Sequence, residues 1–142
     1  YRAIFKFPLS LWILAISCLS TYAAILPFNN IASQFLYTRF STSKQDANLL
    51  MMIVFSVSAV LSPILGILID RIGHRANLAL MAAILITLSH LYMAATYWPP
   101  AVALSLLGIG YSVYAAALWP SIALVTPPAY HSSAYGVVTA IQ

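Results

Sequence analysis

Residues 49–77 read LLMMIVFSVSAVLSPILGILIDRIGHRAN, and this stretch decides what kind of protein the chain is. Its first part, residues 49–69, holds no Asp, Glu, Lys or Arg. A helix advances about 1.5 Å per residue, so about 20 apolar residues cross a hydrocarbon core of roughly 30 Å. The run has the length and composition of one crossing. It stops on Asp70, and Arg71, Gly73, His74 and Arg75 follow at once, as in a short turn at a membrane surface.

The pattern recurs on both sides. A span is expected over residues 8–28, with Pro8 at its entrance, where a missing N–H costs least, and an amphipathic extension through Ile31, Phe35 and Leu36. TRFSTSKQDAN, residues 38–48, reads as a polar loop, and DRIGHRAN, residues 70–77, as a charged turn. Further spans are expected over residues 78–97 and 101–125. Tyr97 and Trp98 close the first of these at the depth where aromatic belts lie, and Thr126-Pro127-Pro128 stops the second. An incomplete span opens near residue 133. The chain starts without a methionine and stops inside an apolar run, so it reads as a fragment. The expected fold is all-α, a polytopic transmembrane helix bundle.

Composition agrees. Of 142 residues, 63% are hydrophobic and 6% charged, whereas soluble domains carry about 25% charged residues. The net charge of +4 is scattered rather than gathered on one face, which excludes a nucleic-acid footprint. Alternating loops place Arg2, Lys6, Arg71 and Arg75 on one side and Arg39 and Lys44 on the other, so the N-terminal side is expected to be cytoplasmic. None of the four asparagines begins a glycosylation sequon. Cys18, the single cysteine, lies mid-span and is expected to pack as a buried thiol. No residue spacing points to a metal or a cofactor.

Ser58, Ser62 and Gly66 recur every fourth residue, a small-residue stripe that permits close helix approach, and Pro63 invites a bend. Asp70 ends its helix where the macrodipole is negative, so its carboxylate needs a partner, an arginine or a neighbouring helix N-terminus. Such a contact can form in one conformation and break in another.

The string G-x-x-x-D-R-x-G-x-R, residues 66–75, resembles the signature loop of the major facilitator superfamily, with His74 where that loop usually carries a base. The resemblance implies a conformational latch at Gly66, Asp70, Arg71, Gly73 and Arg75, on the cytoplasmic face. FKFPLSLWIL at residues 5–14, LPFNN at 26–30, SPILGILIDRIG at 62–73, ALWPSIALVTP at 117–127 and SAYGVVTAIQ at 133–142 extend it. They resemble a branch of that superfamily made up of lysosomal dipeptide uniporters, over its seventh to eleventh helices. By resemblance the activity is export of dipeptides from lysosome to cytosol by alternating access. The partners implied are the bilayer, a missing N-terminal half and a glycosylated accessory membrane protein. A carrier of another small solute, an organic anion, sugar or amino acid, is the first alternative, and a non-transporting membrane scaffold or channel the second.

The superfamily fold also implies that the first and fourth spans line a central cavity. On the fourth, Tyr111, Tyr114 and Leu118 share a face, and Trp119 stands beside the kink expected at Pro120. On the first, Thr21, Tyr22 and Ile25 share a face, with Asn29 one turn on. Tyr22, Asn29, Tyr111, Tyr114 and Trp119 are the expected substrate-binding residues. Aromatic faces suit a cation and the amide can donate and accept. The acid and base that would clamp a peptide's termini are missing from these spans and are expected from the absent half. His90, on the peripheral third span, is expected to be neutral and bonded to Ser89 or a carbonyl.

Two other classes fit less well. An intramembrane hydrolase needs paired aspartates, a serine with a base, or H-E-x-x-H, and none is present, so no catalytic residue is assigned. Gly108-Ile109-Gly110-Tyr111 is similar to a channel filter tripeptide but lies in a long helical run without a re-entrant loop.

Overall fold

The computed structural model describes residues 7–142, and Arg2 and Lys6, which enter the charge count above, lie outside them. The described chain is all-α: α1 Leu9–Arg39, α2 Lys44–Ile72, α3 Arg75–Ala95, α4 Pro100–Val125, a single 3-10 turn Pro128–Tyr130, and α5 His131–Ile141. Helices α1 to α4 are each long and apolar enough to cross a membrane.

The connections are shorter than expected, for identifiable reasons. Helix α1 runs on through Pro27 to Arg39, because Ile25, Ala32 and Leu36 continue one buried stripe at helical spacing. Helix α2 begins at Lys44, inside the expected loop. Ser43 caps it, accepting from the Asp46 amide at 3.0 Å while its hydroxyl donates to the Asp46 carboxylate at 2.7 Å. The charged turn narrows to Gly73 and His74. Gly73 takes φ +70° and its N–H closes the last turn on the Ile69 carbonyl, so Asp70 and Arg71 remain helical. His74 follows at φ +46°, and α3 starts at Arg75.

Hydroxyls within the helices are satisfied in a way that suits lipid. Ser20, Ser62, Thr87, Ser105, Ser112 and Thr126 each donate to the carbonyl one turn back, at 2.6 to 2.9 Å. A polar group in hydrocarbon has no water to turn to, so this internal bond removes most of its penalty.

The chain forms two compact units. One holds residues 28–117 and the other the described residues up to Pro27 with residues 118–142. In the first, α4 is the packing centre. A Cβ on Gly108 would lie 2.9 Å from the Val54 carbonyl oxygen of α2, and one on Gly110 2.9 Å from Cγ1 of Ile86 on α3. The two glycines thus let α4 approach a neighbour on each side. Ser89 of α3, fully buried, donates across to the Ala103 carbonyl of α4 at 2.6 Å. The Arg39 guanidinium donates to the Ala94 carbonyl and lies 4.6 Å from the centre of the Tyr97 ring, capping the C-terminal end of α3 with a positive charge.

In the second unit, Leu11, Ala15, Cys18, Tyr22 and Ile25 form the buried face of α1, so the thiol packs as expected. Phe7 meets Tyr130 edge-on, with ring centres 6.4 Å apart. In the Ser58–Ser62–Gly66 stripe Ser62 is exposed, and a Cβ on Gly66 would meet nothing within 4 Å, so no close helix approach is made at that glycine among the described residues. Helix α2 also leaves Met52, Phe55, Val60, Ile64 and Ile67 exposed, a face suited to lipid or further helices rather than water.

Candidate functional site

The 66–75 loop has the geometry of a charged clasp. Arg75 Nη2 bonds Asp70 Oδ1, and the arginine is mostly buried while the aspartate is 63% exposed. Each charge stands at the wrong end of its own helix. Asp70 lies in the last turn of α2, where the dipole is negative, and Arg75 opens α3, where it is positive. The pair cancels two unfavourable placements, which is the partner that Asp70 required. Arg75 Nη1 is buried and has no acceptor among the described residues. The His74 Nδ1 lies 3.1 Å from the Ile72 carbonyl and braces the turn.

The five expected binding residues divide between the units. Asn29, Tyr111 and Tyr114 belong to residues 28–117, and Tyr22 and Trp119 to the other unit. Tyr114 and Tyr22 are 1% and 2% exposed, so in this conformation neither ring offers a face to a solute. Tyr111 is half-buried. Asn29 is half-buried too, and its Oδ1 is buried without a donor among the described residues, an amide oxygen with unused capacity. Trp119 is half-buried and stacks on Tyr135, with ring planes 14° apart.

His90 has the expected structural environment. Its Nδ1 is 2.8 Å from the Ile86 carbonyl, and Phe28 meets the ring edge-on at 4.8 Å. Gly108 and Gly110, the filter-like glycines, lie inside α4 and serve its contacts with α2 and α3.

Sequence reasoning missed two residues. Tyr135 gave no signal, because one tyrosine in an apolar run resembles any other. Asp46 was legible, since Ser43-x-x-Asp46 is a capping-box spacing. The polar run around it suits a loop, but Asp46 is an acid within the first turn of a helix long enough to span. With Thr42, Leu49, Leu50 and Ile53 it borders an open groove of about 430 Å³.

Residues 9–142 match the sequence model of the Major Facilitator Superfamily, which takes in all five helices just described. The chain belongs to the major facilitator superfamily. It is therefore a segment of a multi-pass membrane protein of a transporter superfamily, and the hydrolase alternative falls with that membership. Among superfamily members it is 40% identical to the lysosomal dipeptide transporter MFSD1 of Gallus gallus over 137 residues, 96% of this chain and 31% of that protein. The corresponding transporters of Danio rerio and Homo sapiens are 39% and 38% identical over 136 residues, 96% of this chain and 30% and 29% of theirs. The chain thus spans about a third of the length of the curated relatives it matches. No solved structure matches it.

Proposed function

We propose that the chain is the seventh to eleventh helices of a facilitative carrier that moves dipeptides from the lysosome to the cytosol by alternating access. The observation that carries this reading is the identity of about 40% sustained over 96% of the chain to lysosomal dipeptide transporters.

In this reading Gly66, Asp70, Arg71, Gly73 and Arg75 form the cytoplasmic latch. The Asp70–Arg75 pair supports that role, because it joins two helix ends and leaves one arginine nitrogen free to take an acceptor from the absent half. Asn29 and Tyr111, both half-buried, are proposed to meet a peptide's polar groups and Trp119 its apolar side chains, while Tyr22 and Tyr114, buried in this conformation, are proposed to reach the solute only in another state of the carrier. The charges that hold the peptide's termini come from the N-terminal half, since rocking carriers bind at the midplane between halves. The bilayer and a glycosylated accessory membrane protein complete the assembly.

The test is full-length protein in proteoliposomes challenged with a panel of dipeptides, free amino acids, sugars and organic anions. Saturable dipeptide uptake with counter-flow supports the reading. Counter-flow of a sugar or an organic anion with none of any dipeptide would refute it. Ohmic currents would refute a carrier altogether.

A further inference from the structure

Helix α5 is tied to the end of α4 at two points. The Tyr135 hydroxyl donates to the Trp119 carbonyl oxygen at 2.9 Å, and His131 Nε2 lies 2.9 Å from the Thr126 carbonyl. Residues 131 and 135 are one turn apart on α5, while Trp119 lies within α4 and Thr126 just past its end, so the two ties join α5 to the last turns of α4 and to the bend that follows. Ala134 and Val138 of α5 are fully buried.

The tie at Trp119 falls where α4 is weakest. Pro120 has no N–H to give the Ala116 carbonyl, and its ring crowds the preceding turn. The helix's own hydrogen bonds therefore fix the direction of the backbone at Trp119 less firmly than elsewhere. Tyr135 restores a fixed point from outside the helix. Its hydroxyl holds the carbonyl and its ring lies against the indole, with centroids 6.2 Å apart and planes 14° from parallel. The hydroxyl and the ring act on the same residue, so together they set both where Trp119 sits and how its indole is turned.

We infer that Tyr135 is a positioning residue for the solute site, orienting the Trp119 indole as a wall that selects among substrate side chains. The inference rests on the dipeptide-carrier reading above. Loss of the hydroxyl alone removes the bond between helices but leaves a ring to stack, whereas loss of the ring removes both restraints.

The experiment uses full-length protein labelled with 5-fluorotryptophan, the Trp119 fluorine resonance being assigned by its disappearance in Trp119→Phe. In Tyr135→Phe that resonance is expected to shift or split. KM for dipeptides with bulky apolar side chains is expected to rise about fivefold, the scale of one hydrogen bond, with turnover changed less than twofold. In a Trp119→Ala background the same Tyr135→Phe change should leave KM where it is, because the residue it acts through is gone. An unchanged resonance in Tyr135→Phe overturns the inference whatever the solute proves to be. A shifted resonance with parental KM, or a KM effect that persists without Trp119, reduces the tie to plain packing and also overturns it. If the parent carries no dipeptide, the functional reading fails on its own, and the resonance still decides whether Tyr135 orients Trp119.

Discussion

Gly108→Ala is the substitution whose consequence follows most directly from the geometry. The added methyl would lie 2.9 Å from the Val54 carbonyl oxygen, 3.1 Å from Val57 Cβ and 3.2 Å from Val57 Cγ1. None of these atoms is the end of a flexible side chain, so α2 and α4 must move apart rather than one group swing away. Overpacking of this kind costs about 1–3 kcal/mol. Alanine recovers up to about 1 kcal/mol through its better helix propensity. The net expectation is about 1–2 kcal/mol of destabilisation, read as a fall of a few degrees in the midpoint of thermal unfolding of full-length protein in detergent. Val57→Ala removes Cγ1 but leaves the carbonyl contact. In the double variant the loss should therefore be smaller than the sum of the two single losses by at least about 0.5 kcal/mol, without returning to parental stability. Parental stability in Gly108→Ala, or strict additivity in the double variant, would refute the close approach of α4 to α2.

Three further substitutions probe other parts of the chain. Asp70→Asn leaves Arg75 opposed to the α3 dipole with no counter-charge, and should slow dipeptide turnover severalfold in proteoliposomes while KM stays within twofold. A KM change with unaltered turnover would place Asp70 in binding instead. Ser89→Ala removes a fully buried bond between α3 and α4 and is expected to cost about 1 kcal/mol in denaturant unfolding, against no loss if that bond is unimportant. His90→Leu removes a bond to a carbonyl of its own helix, so KM and turnover should stay within twofold of the parent. A tenfold loss of transport would make His90 a functional group rather than a structural one.

Membrane residence and the all-α class were legible from residues 49–69 alone, because hydrocarbon imposes one length and one composition on any helix that crosses it. The Gly66–Arg75 string also told truly of a tight turn, since the φ of +70° at Gly73 is a backbone state that favours glycine. Helix ends were less legible. Whether Asp46 or Asp70 is helical depends on which capping partner wins, and polar residues suit a loop and a helix terminus equally well.

Which face of a span meets what was decided only by tertiary structure. The small-residue stripe on α2 looked like the packing surface, yet Gly108 and Gly110 make the close approaches. Tyr114 looked like a cavity residue, yet it is buried, and Tyr135 acquired its partner only when α5 folded beside Trp119. The physical reason is that a soluble helix marks its inner face with polarity, whereas a span is apolar all round. Lipid and protein interior then ask for the same residues, and only the packed neighbours tell the two apart.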